Sequence, residues 1–276
     1  MATGRPRASG ARALAGDALS DVLDEAEHPW RVRRGTALAA LVAPPVGAVA
    51  MGLIALHRPL FRWLTREDGA LEWAQFGADV VGLGAATWVA VTLWRRGDRL
   101  GAALWAGFAA LLLFIAGEEI SWGQRLLDLD TPEVLVDRNH QEESNVHNIR
   151  IVQDSINVGF MLVGLYGSVV AVALRRRLPP LRRPRRFDLV VPPMLLASAF
   201  LVVFGYKLVR LVALHSPRFT IVKYGEYVEL LTALSLAAFA VLTARRIATP
   251  RAGADEVVDL RDPVDADRPQ TWRVGR

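Results

Sequence analysis

Two adjacent glutamates stand at the end of an apolar stretch, where hydrocarbon is expected to surround the chain. The apolar residues run from Leu100 to Ile115, and Gly-Glu-Glu-Ile-Ser-Trp-Gly-Gln-Arg follows over 117–125. An ionisable group at membrane depth costs about 2.5–3.5 kcal/mol on insertion scales, so such groups usually face the protein interior and mark function. Because neighbouring positions on a helix diverge by about 100°, Glu118 and Glu119 are expected to meet different surroundings and to play different roles.

A histidine could complete an acid–base site with these glutamates, since His147 titrates near neutral pH. In this hypothesis Glu118 or Glu119 is the general base, His147 is the acid or base, and cations hold an anionic head group of the substrate. The cations are Arg125, Lys207 and Arg210. Ser121 is an alternative nucleophile, although a helical serine commonly bonds to its own backbone instead. A metal held by His147 and glutamates would be a hard cation, but no spacing is diagnostic and we assign no metal ligand.

The elements that must position these residues are six apolar blocks, each long enough to cross a bilayer, which takes about 20 helical residues. Hydrophobic types make up 52% of the 276 residues, and there is no cysteine. Disulfides, thiolate metal sites and a cysteine nucleophile are therefore excluded. The pattern predicts an all-α, polytopic membrane helix bundle with helices at Thr36–Leu56, Trp73–Leu93, Leu100–Trp122, Ile149–Leu174, Leu189–Val209 and Val222–Ala244.

The basic residues predict the orientation of the bundle. Of the 33 lysines and arginines, 18 flank the helix ends on the side of the termini and 10 lie on the opposite side. By the positive-inside rule, both termini are cytoplasmic, in a multi-pass protein of the cell inner (plasma) membrane. This rule explains the net charge of +5 better than nucleic acid binding does. We expect no removed signal peptide.

Three regions are expected along the chain. Residues 1–35 form a cytoplasmic arm with a short amphipathic helix, although a merely solubilising arm fits as well. Residues 36–246 form the transmembrane domain, and 247–276 form a disordered cytoplasmic tail. Pro44-Pro45 predicts a kink in the first helix, whereas Pro192-Pro193 falls in the first turns of the fifth, where proline is tolerated.

The polar residues of five helices converge on the outer half of the bundle, and the inner halves carry almost none. Glu72, Gln75 and Asp79 share one helical face, and the third helix is expected to present Glu118, Ser121, Trp122 and Arg125 on one arc. The fourth helix repeats the pattern with His147, Arg150, Asp154 and Asn157. We assign the following residues to substrate binding: Asp79, Gln124, Arg125, Asn139, Gln141, Glu143, Asn145, Asn148, Asp154, Lys207, Arg210, Glu226 and Glu229.

The connection before the fourth helix has polar residues at every second position, from Asn139 to His147. In an extended chain this period places them on one face, so the segment could line the mouth of the site; an ordinary hydrated loop is the alternative. The two lysines, Lys207 and Lys223, both fall in the outer cluster. Each is either an ion-pair partner or proton donor, or a side chain that snorkels to the membrane surface.

The segment Gly117–Asn148 resembles a signature of uncharacterised bacterial multi-pass membrane proteins, EEISWGQR followed by N-x-Q-x-E-x-N-x-H-N. This resemblance implies a membrane helix bundle and carries no activity. Asp154-x-x-Asn157-x-Gly159 is weakly similar to VanZ-like membrane proteins. The layout is also similar to that of ceramidase-like membrane hydrolases, whose paired HxxxH near the C-terminus is absent here.

Three classes of function stay open. A membrane-embedded enzyme would act on a lipid-linked or amphiphilic substrate, and needs a lateral opening beside Glu118. An ion, proton or small-solute transporter needs polar residues that continue inward. A structural or partner-binding subunit would have every charge paired. The expected partner is membrane lipid, with a homo-oligomer as a further alternative, and the sequence identifies no cofactor.

Overall fold

The structure, a computed structural model, describes residues 8–67, 69–123, 150–178, 183–184, 186–213 and 219–249, with the side chains of 8–15 and 150–154 left out. The described residues are helical and contain no strand. Six helices are long and apolar enough to span a membrane. The predicted all-α bundle with six such helices is thereby confirmed.

The helices α1 to α5 are Ala8–Glu27, Arg34–Ile54, Arg58–Leu64, Ala70–Arg95 and Arg99–Glu119. A short 3₁₀ turn, Ser121–Gly123, follows α5. Helices α6 (Arg150–Leu165) and α7 (Ala171–Arg177) are continuous through a π-helical turn, Tyr166–Val170. The last three helices are α8 (Phe187–Val190), α9 (Ala197–Ala213) and α10 (Phe219–Ala248).

The helices alternate in direction and define two ends of the bundle. Residues Ile54, Ala70, Glu119, Ala213 and Phe219 lie at one end, which we call the Glu119 end. The start of α2 and α5 and the end of α4, α7 and α10 lie at the other end, which we call the Arg175 end. A seven-residue helix, α3, connects α2 to α4 at the Glu119 end; the sequence did not predict it.

Small residues let the central helices approach closely. Helix α4 packs along its length against both α5 and α10. A Cβ atom on Gly82 would lie 3.2 Å from the Cα atom of Ala237, and Ala78 packs with Ala233 and Ala237. On the other side of the bundle, α9 packs against α6 and α2. No hydrophobic force brings helices together inside a membrane, so this close van der Waals packing is what stabilises their association.

Helix α2 continues through Pro44 and Pro45. Proline removes an amide donor, so the carbonyl four residues earlier loses its helical partner. For Pro44 that carbonyl belongs to Ala40, and the Ser198 hydroxyl donates to it at 3.3 Å. The Tyr227 hydroxyl donates to the carbonyl of Pro44 at 2.9 Å. Side chains of α9 and α10 thus satisfy the backbone of α2 around the proline pair.

The prediction that Pro192-Pro193 lies inside the fifth helix is wrong. The prolines interrupt that helix between α8 and a 3₁₀ turn at Met194–Leu196 that leads into α9. Val191, which precedes them, has an extended conformation with φ −97° and ψ 113°. A residue before proline is pushed out of the helical region, and two prolines remove two donors in succession.

The third predicted helix ends earlier than the sequence indicated, at Glu119 rather than Trp122. Ser121 and Trp122 have left-handed φ values of 48° and 55°, and Gly123 follows at 81°. The expectation that Glu118, Ser121 and Trp122 share one helical arc is therefore wrong, and Arg125 lies outside the described residues. The apolar pattern continued past Glu119, but the backbone reverses its handedness there.

Candidate functional site

The polar face of α4 penetrates the bundle from the Glu119 end. Glu72, Gln75 and Asp79 lie on one face, as their spacing predicted. At 1.5 Å per residue, Asp79 lies about 10 Å further along the helix axis than Glu72. Gln75 is 3% exposed and Asp79 is 0% exposed. The face therefore becomes more deeply buried with distance from the membrane surface.

The end of α5 brings two carboxylates against this face. The Gln75 Nε2 atom donates to Glu119 Oε2 at 2.8 Å. The Trp122 indole Nε1 atom donates to Glu118 Oε1 at 2.7 Å, and its ring packs where a Cβ on Gly117 would stand. Glu118 is 4% exposed. The left-handed turn after Glu119 is what lets Trp122 fold back onto α5.

Helix α10 supplies two more carboxylates, Glu226 and Glu229. These two, together with Glu72 and Asp79, lie within electrostatic range of Glu119. We call the whole set the acidic cluster: Glu72, Asp79, Glu118, Glu119, Glu226 and Glu229. Two consecutive helices, α4 and α5, and the distant α10 thus bring six carboxyl groups to one place.

Asp79 is the most unusual member of the acidic cluster. Neither of its carboxyl oxygens has a hydrogen-bond partner among the described residues, and the same holds for the Oε1 atom of Gln75, one helical turn away. An isolated buried carboxylate without a partner is very costly. The geometry therefore favours a carboxyl group that holds a proton, or that shares its oxygens with Gln75 around a small cation.

The two lysines at this end form ion pairs with the glutamates of α10. Lys207, only 2% exposed, donates to Asn157 Oδ1 at 2.8 Å and to Glu229 Oε1 at 3.0 Å. Its Nζ atom also lies 4.7 Å from the centre of the Phe160 ring. Lys223 pairs with Glu226 at 3.1 Å. The lysines therefore have ion-pair partners, which was one of the two roles predicted for them.

Arg210 lies beside the same pairs. A Cβ atom on Gly225 would stand 3.3 Å from the Tyr206 hydroxyl, 3.7 Å from Glu229 Oε1 and 3.9 Å from an Arg210 Nη atom. The Tyr206 hydroxyl donates to the carbonyl of Ile221 at 2.5 Å. The absence of a side chain at Gly225 thus leaves room for an acid, a phenol and a guanidinium on one face of α10.

The structure brings together most of the predicted site residues that it describes. These are Asp79, Glu118, Glu119, Lys207, Arg210, Glu226 and Glu229. The other predicted residues lie outside the described residues: Gln124, Arg125, Asn139, Gln141, Glu143, Asn145, His147 and Asn148, together with the side chain of Asp154. The catalytic role of His147 and the lid therefore stay predictions.

A second polar centre, at the Arg175 end, was missed by sequence reasoning. The predicted fourth helix ended at Leu174, directly before Arg175. In the structure Arg175 lies in the last turn of α7 with a side chain that is 0% exposed. The sequence analysis did not predict this burial. Two acids within arginine-rich surroundings, Glu25 and Asp188, were the available signal.

The contacts of Arg175 satisfy both acids and the interrupted helix. Its guanidinium binds Glu25 at 2.5 Å and Asp188 at 3.0 Å, and donates to the carbonyls of Val191 and Pro192. The second oxygen of Glu25 accepts from the Met194 amide at 2.8 Å. Arg246 binds the other oxygen of Asp188 at 2.6 Å. We call this set the Arg175 network: Glu25, Arg175, Asp188 and Arg246.

Over the part of the chain that the structure describes, no group of three or more histidine, aspartate or glutamate side chains is arranged to hold a metal ion. The acidic cluster is thus spread over three helices rather than focused on one point. Its deepest oxygens come from one carboxyl group and one carboxamide, Asp79 and Gln75.

No protein-family model matches this chain, and neither a characterised protein nor a solved structure is similar to it. The resemblance over Gly117–Asn148 therefore stays a prediction. The six apolar helices fit a membrane protein.

Proposed function

We propose that this integral membrane protein is an ion-binding protein that holds protons, or a small cation in their place, at the acidic cluster, with access from one side of the membrane. The observation that carries the proposal is Asp79. Its carboxyl group is 0% exposed and has no partner among the described residues. Ionisable side chains inside membrane helices commonly serve as proton relays.

The alternative of a purely structural salt-bridge network requires every buried charge to be paired. The Arg175 network meets that requirement, because each oxygen of Glu25 and Asp188 has a named donor. Asp79 does not meet it within the described residues. This contrast favours a ligand-binding role for the acidic cluster over a structural one.

The arrangement of the cluster suits uptake from one side of the membrane. Glu72 lies in the first turn of α4. Gln75 donates to Glu119, and Asp79 lies one turn further along the same helix. Beyond Asp79 the buried face of α4 is apolar, with Gly82, Ala86 and Val89. The cluster therefore provides a path from the Glu119 end inward that stops at Asp79, as an ion-binding site with one-sided access would.

The decisive experiment is infrared difference spectroscopy of the purified full chain in liposomes, with Asp79→Asn as the variant. A protonated carboxyl group has a distinct C=O stretch, which we expect in the wild type near neutral pH and not in Asp79→Asn. The matched control is Asp21→Asn, at an exposed acid of α1, which should leave the band unchanged. A wild-type spectrum without this band, with or without sodium removed, would contradict proton binding; loss of the band on adding sodium would identify the cation alternative.

A second candidate is a membrane-embedded enzyme that acts on a lipid-linked or amphiphilic substrate, with Glu118 and Glu119 as acid–base groups and His147 as their partner. The observation that favours it is the left-handed backbone at Ser121 and Trp122, directly after the glutamates. Non-glycine residues in this region are strained, and strain of this kind clusters at active sites.

The enzyme candidate is tested by lipid analysis of cells that carry Glu118→Gln or His147→Ala. An altered envelope lipid composition at normal protein level would support it, and Glu67→Gln, at an exposed residue of the same end, is the control. Unchanged lipids in both variants would rule it out. Because Asp79→Asn should affect ion binding without this lipid change, the two candidates are distinguishable.

We also propose that the protein lies in the plasma membrane with both termini in the cytoplasm. It is supported by the 18-to-10 bias of basic residues toward the side of the termini. In that orientation the acidic cluster opens outward. A tag at the C-terminus should be inaccessible to protease added outside intact cells. Cleavage of the tag under these conditions would contradict the proposed orientation.

A further inference from the structure

A small basic pocket lies at the Glu119 end, apart from the acidic cluster. It has a volume of about 250 Å³ and is lined by Ala55, Arg58, Phe61, Arg62, Phe219 and Thr220. Arg58 and Arg62 are four residues apart on α3, which places their side chains on one face. Two guanidinium groups therefore border one cavity, opposite the first turn of α10.

Within the described residues, no acid neutralises either guanidinium. Both arginines are exposed, and neither has an ion pair or a side-chain hydrogen bond with another described residue. By contrast, Arg34, Arg175 and Arg186 all bind carboxylates. Guanidinium groups match the geometry of carboxylate and phosphate oxygens, and paired arginines are a common way to hold phosphate.

The surroundings of the pocket indicate the water–lipid boundary. Helix α3 connects the ends of two membrane-spanning helices, α2 and α4, and exposes Leu60 (41%) and Trp63 (52%) beside its arginines. Tryptophan and arginine are enriched at this boundary, where an apolar surface and a polar surface meet. A ligand that fits both surfaces has an anionic group and an apolar part.

We propose that this pocket binds the phosphate group of a phospholipid head group, with Arg58 and Arg62 as the donors and Leu60 and Trp63 beside the acyl chains. Phe219 and Thr220, the first two residues of α10, line the same pocket, and the first amides of a helix have no partner within that helix. The proposal is independent of the ion-binding function, since none of these residues belongs to the acidic cluster.

The test is native mass spectrometry of the purified full chain with three probes: phosphatidylglycerol, diacylglycerol with the same acyl chains, and inorganic phosphate. We expect retained phosphatidylglycerol, little diacylglycerol and weak inorganic phosphate. A hydrogen bond to a charged group contributes about 1.5 kcal/mol, so Arg58→Gln and Arg62→Gln should each weaken retention about tenfold, and the double variant about a hundredfold.

Arg66→Gln is the matched control, because it removes the same charge from the same end of the protein but outside the pocket lining. It should retain phosphatidylglycerol as the wild type does. Equal losses in Arg66→Gln and Arg62→Gln would show a diffuse basic surface and overturn the pocket. Equal retention of diacylglycerol by the wild type would overturn the phosphate contact without any variant, and inorganic phosphate bound as tightly as the lipid would overturn the lipid source.

Discussion

The two ends of the bundle treat buried acids in opposite ways. At the Arg175 end, Glu25 and Asp188 are held by Arg175, Arg246 and a backbone amide, so that each carboxyl oxygen has a donor. At the Glu119 end, six carboxyl groups from three helices lie together, and Asp79 has no partner within the described residues. The described residues thus contain one network in which every acid oxygen has a donor and one cluster in which the deepest acid, Asp79, has none.

The difference teaches how to separate stability from function in such a protein. A buried ionic network in which every carboxyl oxygen has a donor fixes one arrangement of the chain, here the junction of α1, α7, α8 and α10. A buried acid such as Asp79, which has no partner within the described residues, costs stability and persists where a proton, ion or substrate compensates it. The comparison therefore predicts opposite responses when one charged group is removed from each end.

The largest effect is expected at the Arg175 end. Arg175→Met leaves Glu25 and Asp188 without their shared cation and frees the carbonyls of Val191 and Pro192. Removing one partner of a buried ion pair costs about 3–5 kcal/mol in the free energy of unfolding. Reversible unfolding of the purified protein in detergent, by titration with dodecyl sulfate, measures this loss.

Arg177→Met provides the control for this prediction, because Arg177 is exposed two residues further along the same turn. Its effect should be within about 0.5 kcal/mol, as for most surface substitutions. If Arg175→Met proves no more destabilising than Arg177→Met, the Arg175 network does not stabilise the fold, and the contrast between the two ends disappears.

The second effect has the opposite sign. Asp79→Asn preserves the size of the side chain and removes the group that would have to be charged or protonated at depth. We expect the free energy of unfolding to stay the same or to rise by about 1 kcal/mol, because the carboxamide is still a buried polar group but needs neither a proton nor a cation to be neutral. The same detergent titration measures it. Destabilisation as large as that of Arg175→Met would make Asp79 a structural residue with a partner.

The fold was largely predictable because membrane helices are specified by long apolar runs, and these were plain from Thr36 to Ala244. Helix ends were less predictable when the apolar pattern continued past them. At Glu119 the left-handed backbone of Ser121 and Trp122 ends the helix, and no composition signal marks that reversal. At Pro192-Pro193 the signal existed, but its position in the helix was misjudged.

The candidate site was predictable where a helical face carries it, as at Glu72, Gln75 and Asp79, or where charges recur along one helix, as at Glu226 and Glu229. The pairing between helices was not. Nothing in the spacing says that Lys207 selects Glu229 and Asn157, or that Arg175 reaches back 150 residues to Glu25. Such pairs follow from how the helices pack, which periodicity within one helix does not determine.

The smallest effect tests whether burial, rather than the presence of an ion pair, explains the importance of Arg175. Arg186 also binds an acid at the Arg175 end, Asp98 at 2.7 Å, but its side chain is 41% exposed. Arg186→Gln should therefore destabilise the protein far less than Arg175→Met, because exposed ion pairs contribute little.

The difference in free energy of unfolding between the wild type and Arg186→Gln should shrink further between 0.1 M and 1 M salt, because the screening length falls from about 10 Å to about 3 Å. The hydrogen bonds that Arg186 donates to Asp98 raise the pKa of Arg186, so its contribution is fully present below the ordinary arginine pKa and is lost only as the pH rises through the raised value. Unfolding titrations of both proteins should thus differ by the same small amount at every pH from about 5 to about 10, and a large difference that salt does not reduce would mean that exposure does not separate the two arginines.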